Sequence, residues 1–202
     1  MIHSCSRTRS ALPWKVVVFD LDDTLFPEAD YVRSGFRAVA RLLHRTHGFP
    51  ADEVFGRLAS MFEAGVRGNT FDLLLEDLGV RDIASARLVE EYRSNRPEIR
   101  PFPGIPELLQ SLSKDVALGL IIDGYLEVQR RKLAALGLAE YFRIVIFTDE
   151  FGRDHWKPHP LAFRMVLERL GVEGEAAVYV ADNPTKDFFG ARSVGMASIQ
   201  CR

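Results

Sequence analysis

Three apolar runs in this 202-residue chain end in aspartate, and a fourth leads to a lysine. KVVVF is followed by Asp20-Leu21-Asp22-Asp23-Thr24, and VALGLII by Asp123-Gly124. RIVIF leads into a loop that reaches Lys157-Pro158, and AAVYVA runs into Asp182-Asn183, with Asp187 five positions beyond Asp182. Carboxylates gathered at one place repel one another, and each resists ionising. A bound divalent cation removes that conflict, and magnesium prefers one or two carboxylates together with waters and phosphate oxygens. A lysine facing them complements a phosphate as a point charge. The chemistry suited to this set is phosphoryl transfer to a carboxylate, giving an aspartyl-phosphate.

Gathering these groups requires a fold that brings distant strand ends to one rim. The run from Lys15 to Phe19 is β-branched and continuous, as in a strand buried on both faces. Further strands are expected at Val116–Ile122, Arg143–Phe147, Ala176–Ala181 and Ala197–Gln200. They alternate with helices over Pro106–Leu112, Tyr125–Leu136, Pro160–Leu170 and Lys186–Val194. Short connections between alternating elements predict a parallel, doubly wound α/β sheet, whose ligands sit beyond the carboxyl ends of the strands.

Between the first strand and the rest lies a block with helical spacing alone. Its helices start at Glu28, where Gly48 closes the first, and continue over Asp52–Val66, over FDLLLEDLG behind Asn69 and Thr70, and over Asp82–Ser94. Four prolines in RPEIRPFPGIP (Pro97, Pro101, Pro103 and Pro106) make a stiff return. The expected division is a core of residues 1–26 and 98–202 and a helical domain of residues 27–97.

FDLDDTL, KPHP and VADNPTKDF together resemble the haloacid dehalogenase-like hydrolase superfamily, from about Trp14 to Ile199. The resemblance implies a Rossmann-like core with an inserted all-helical cap and a magnesium-dependent phosphatase. It makes Asp20 the nucleophile and a metal ligand, and Asp22 the general acid/base whose main-chain carbonyl also holds the metal. Thr24 supports the loop, Lys157 steadies nucleophile and phosphate, and Asp182 and Asp187 complete the Mg2+ site. Asp123 and Gly124 would turn their amides to the phosphate. The second aspartate, Asp22, favours phosphoryl transfer over carbon–halogen hydrolysis. The implied substrate is a small phosphate ester closed off by the cap.

Two positions depart from the family pattern. Ile122 stands where the family places Ser or Thr at the end of the second strand, and Ala181 where Gly is commoner. Losing one transition-state donor costs on the order of a hundredfold in rate. A phosphomutase uses the same core and stands beside the phosphatase reading; so, on the strength of Ile122 alone, does a weakened phosphate-binding or regulatory member.

Simpler roles exist for each residue. Asp20, Asp22 and Asp123 could be turn residues, Lys157 a solvated lysine, and Asp187 a helix-start acid. His155 and Trp156 could line the site or pack within their loop. Arg67 and Arg93 could meet an anionic substrate or lie at the surface, His44 and His47 read as surface residues, and Arg130-Arg131-Lys132 as a solvated helix face. Hydrophobic content of 47% and charged content of 27% exclude disordered, collagenous and coiled-coil classes. A net charge of −2 argues against nucleic acid as a partner. No run reaches the roughly 18 apolar residues that span a bilayer. The polar start MIHSCSRTRSALPW reads as a tail rather than a secretory signal, and two cysteines make no disulfide framework. A cytoplasmic location is the default, and oligomeric state is left open.

Overall fold

The structure is a computed structural model that describes residues 13–201. Residues 1–12 of the tail reading, Cys5 among them, lie outside the described residues. Five strands, β1 (Val16–Phe19), β2 (Ala117–Ile122), β3 (Ile144–Phe147), β4 (Ala177–Ala181) and β5 (Ala197–Gln200), form one wholly parallel sheet of order β3-β2-β1-β4-β5. The expected strands all form, trimmed by a residue at most at their starts.

The strand order explains the composition of each strand. β1 is central and every residue of VVVF is buried, so it can be apolar on both faces. β5 is an edge strand, and ASIQ is mostly exposed. The chain runs outward from β1 through β2 to β3, then crosses back to β4 on the other side of β1. The order thus reverses between β1 and β4, the place where open α/β sheets hold ligands. Register aligns the ends: Phe19 lies opposite both Leu120 and Val180, and Ile122 opposite Phe147.

Contacts divide the chain into two compact units. The α/β unit comprises the described residues through Leu25, Phe102–Leu126, and those from Leu138 onward. Its helices include α5 (Ile105–Leu112), α7 (Leu161–Leu170) and α8 (Pro184–Ser193). In its core Val16, Val18, Ile121, Ile146, Phe163 and Tyr179 pack together with residues of α7 and α8. α8 begins two residues earlier than expected. The Asn183 side chain accepts from the N–H groups of Thr185 and Lys186 at 3.2 Å each, and Pro184 fits the first turn without an N–H to satisfy.

The helical unit comprises Phe26–Pro101 and Glu127–Gly137. It contains α1 (Glu28–His47), α2 (Ala51–Glu63), α3 (Thr70–Asp77) and α4 (Ser85–Ser94), packed on Phe36, Val39, Leu43, Leu58, Leu74 and Leu88. Gly35 lets α1 approach α4: a Cβ there would lie 2.3 Å from the Tyr92 ring. Asn69 does sit at the start of α3, but its side chain makes no capping bond.

α6 (Leu126–Leu136) departs from the expected division, because most of it packs with the helical unit. Arg131 donates to the carbonyl of Arg93 at 3.2 Å. Lys132 corrects the solvated-face reading: it is only 2% exposed, with Nζ 4.4 Å from the Tyr31 ring centroid and 5.8 Å from that of Phe26. Aromatic faces can hold a buried ammonium in this way. Arg130, by contrast, is exposed and pairs with Glu127. His44 and His47 bond locally, to the carbonyl of Phe49 and to Asp82, and Arg67 bonds the carbonyls of Phe62 and Val66. Among the described residues no helix is long and apolar enough to cross a membrane.

Candidate active site

β1 delivers Asp20 to the rim and then turns sharply. Leu25 N–H closes on the carbonyl of Leu21 at 2.9 Å. Asp23 takes φ 51°, a left-handed value that aspartate tolerates better than most residues. The turn is tied to the neighbouring strand through Thr24, whose hydroxyl accepts from Asp182 N–H at 3.1 Å. Thr24 therefore acts on the main chain that presents Asp182, at the point where the strand order reverses.

β4 and the first turn of α8 supply Asp182 and Asp187. Oxygens of Asp20, Asp182 and Asp187 all lie within 4.8 Å of one another. Lys157 enters from the loop after β3. Its Nζ lies 2.5 Å from Asp20 Oδ1 and 2.6 Å from Asp187 Oδ1, and all three side chains are almost wholly buried. Asp22 is half-buried in the turn, and its carboxylate does not join the three that converge.

Two further residues complete the cluster. Tyr179, fully buried in β4, accepts from Lys157 Nζ at 3.1 Å and donates to Asp187 Oδ1 at 3.3 Å. Thr148, directly after β3, donates to Asp123 Oδ1 at 2.7 Å and to the carbonyl of Ile122 at 3.3 Å. Asp123 Oδ1 also accepts from Lys157 N–H at 2.9 Å, so the loops after β2 and β3 are joined at this carboxylate. Neither Tyr179 nor Thr148 emerges from sequence reasoning. The one signal for Tyr179 is a polar tip in an otherwise apolar strand.

Ile122 is fully buried at the end of β2. Gly124 follows with φ 112°, a conformation that demands glycine. His155 and Trp156 pack within their loop: His155 Nδ1 bonds the carbonyl of Phe151, and the Trp156 indole donates to Asp149 Oδ1 at 3.0 Å. Asp149 Oδ2 accepts from Leu126 N–H, a second tie between the same two loops.

The electrostatics follow from burial and crowding. Burial pushes the Asp182 carboxyl above its ordinary range, and Asp20, Asp187 and Asp23 push it further. Burial also raises Asp187, opposed by Lys157 and reinforced by Asp20. Burial alone would lower the Lys157 ammonium, but Asp20, Tyr179 and Asp187 more than reverse this, so it stays charged. One ammonium among three carboxylates leaves negative charge in excess. The hard oxygen donors and their spacing fit a divalent cation such as magnesium.

A parallel α/β sheet with clustered aspartates and a buried lysine at its carboxyl rim suits a hydrolase. Residues 17–201 match the family described as haloacid dehalogenase-like hydrolase, and the chain belongs to that family. It is 31% identical over 198 residues to glyceraldehyde 3-phosphate phosphatase of Methanopyrus kandleri, covering 93% of this chain and 84% of the relative. It is 31% identical over 222 residues to phosphoserine phosphatase of Thermus thermophilus, covering 92% and 87%. Among solved structures, the HAD phosphatase of Thermococcus onnurineus superposes with a TM-score of 0.60 at 30% identity, over 93% of this chain and 86% of that one.

Proposed function

We propose that this protein is a magnesium-dependent phosphatase that hydrolyses a small phosphate monoester through an aspartyl-phosphate on Asp20. The observation that carries the reading is the convergence of Asp20, Asp182, Asp187 and Lys157 at the rim of a family member of this kind. Asp20 attacks phosphorus while the bond to the leaving oxygen breaks, and Asp22 protonates that oxygen. Asp22 then takes a proton from water, which attacks phosphorus, releases inorganic phosphate and frees Asp20. Lys157 holds Asp20 in place and offsets phosphate charge, while the amides of Asp123 and Gly124 face the phosphate. Asp20, Asp182, Asp187 and the carbonyl of Asp22 would hold Mg2+, which when bound neutralises charge on the nucleophile and the transferred group. Residues 27–97 act as a cap that closes over the substrate, excludes water and reopens. Scarcity of cysteine fits a cytosolic setting.

The test is hydrolysis of 4-nitrophenyl phosphate, glyceraldehyde 3-phosphate and phosphoserine with Mg2+ and after chelation. Chelation is expected to cost about a hundredfold or more in rate, recovered by excess Mg2+. Inertness toward every ester with Mg2+ present would overturn the phosphatase reading. Equal rates after chelation would overturn the metal assignment.

Ile122→Thr tests the departure in the phosphate cradle. Restoring a hydroxyl donor should raise kcat roughly tenfold or more, while burying that hydroxyl in an apolar place costs about 1–3 kcal/mol of stability. A variant that folds and shows no gain in kcat would mean that this position does not face the phosphate.

A further inference from the structure

Four carboxylates and two ammonium groups meet at this rim; Lys186 pairs with Asp123 and also acts at longer range on Asp187. Lys157 is committed to Asp20 and Asp187. Asp123 is 7% exposed and is held by different partners. Its Oδ1 is fixed by the Thr148 hydroxyl and by Lys157 N–H, and its Oδ2 lies 3.1 Å from Lys186 Nζ. The Asp123 side chain is 5% exposed and that of Lys186 45%, so a buried charge is met by a cation reaching in from solvent.

The placement matters because Asp123 bonds the main chain of Lys157, the residue whose ammonium grips the proposed nucleophile. A fixed carboxylate tied to the residue that holds the nucleophile repels an incoming phosphate dianion, and burial leaves the repulsion poorly screened. Lys186 is delivered by the first turn of α8, where Asn183 fixes its N–H. The same turn presents Asp187. The geometry points to Lys186 as a positioning residue for phosphate binding: it cancels the Asp123 charge and so makes room for a dianionic ester beside it. This inference rests on the phosphatase reading and assigns Lys186 no part in bond breaking.

The test is a double-mutant cycle on the full chain with Mg2+ present, comparing wild type, Lys186→Met, Asp123→Asn and the double variant. KM and kcat are measured with 4-nitrophenyl phosphate, and the Kd of inorganic phosphate by calorimetry. Lys186→Met is expected to raise KM and phosphate Kd about tenfold, with kcat changed much less. In the Asp123→Asn background the same substitution should change phosphate Kd much less, by about twofold, because the carboxylate that Lys186 meets at 3.1 Å is gone and only its weaker action on Asp187 remains. Met keeps the apolar stem at a half-exposed position, and a cooperative melting transition in each variant confirms that it folds.

Equal losses in both backgrounds would overturn the inference, since Lys186 would then act otherwise than through Asp123. No loss in either background would reduce the pair to a surface ion pair without consequence, and would also overturn it. A wild type that hydrolyses the ester while the variants fail to split in this way overturns the inference alone. A wild type that neither hydrolyses the ester nor binds phosphate overturns the phosphatase reading with it.

Discussion

Asp20→Asn is expected to abolish hydrolysis of phosphate monoesters, lowering kcat by about ten-thousandfold or more. The amide matches the carboxylate in shape, so the loss isolates its chemistry. A neutral amide is a poor nucleophile toward phosphorus, and it withdraws one of the three converging anionic oxygen donors. Folding should survive, because Lys157 keeps Asp187 at 2.6 Å and Tyr179 at 3.1 Å. A modest fall in stability is expected from the lost partner of a buried ammonium. The check is the initial rate with 4-nitrophenyl phosphate over a range of Mg2+ concentrations, beside the melting temperature. Mass spectrometry of the acid-quenched wild-type enzyme should show one phosphoryl group on the peptide holding Asp20, absent from the variant. A folded Asp20→Asn protein with more than a few per cent of wild-type turnover would move the nucleophile elsewhere.

The aspartates of this site are legible in the chain because their position is a one-dimensional property. Asp20, Asp123 and Asp182 each follow directly on an apolar run, and a parallel sheet brings the ends of such runs to one rim. Lys157 is ten residues beyond β3 and is legible only through the KPHP resemblance. Residues that act across space are not legible. Tyr179 shares a strand pattern with any half-polar core residue, and only the fold shows its hydroxyl between Lys157 and Asp187. Thr148 and Lys186 both serve Asp123, over separations of 25 and 63 residues that no local signal encodes. Lys132 shows the opposite failure. A basic run on a helix reads as solvated because charge prefers water, yet stacking on Tyr31 and Phe26 offers the ammonium another environment. Glu127–Gly137, which carries Lys132, also belongs to the helical unit, whereas strand-and-helix alternation alone assigns it to the α/β part.

Lys157 carries the largest expected effect on stability, together with a large one on rate. Its ammonium is fully buried and touches Asp20 at 2.5 Å and Asp187 at 2.6 Å. Methionine fills much the same volume without charge, so Lys157→Met leaves two buried carboxylates facing each other and Asp182, with nothing between them. Removing one partner of a buried ion pair typically costs about 3–5 kcal/mol. For a chain of this size that corresponds to a fall of about 6–20 °C in melting temperature. The loss should depend on the metal, which separates an electrostatic cause from a packing defect. A divalent cation bound by Asp20, Asp182 and Asp187 offsets part of the charge that Lys157 no longer balances, and ligand binding to the native state raises stability by mass action. Lys157→Met should therefore gain more melting temperature from millimolar Mg2+ than the wild type does. Its kcat should still fall about a thousandfold with Mg2+ present, because the ammonium that holds Asp20 in place and offsets phosphate charge is gone. Differential scanning calorimetry with Mg2+ and with chelator, paired with initial rates, measures all three quantities. An equal loss of stability in both buffers would mean that altered packing and the lost hydrogen bond to Tyr179, and not the uncompensated carboxylates, destabilise the fold. That result would remove the charge argument on which the metal assignment to this aspartate cluster stands.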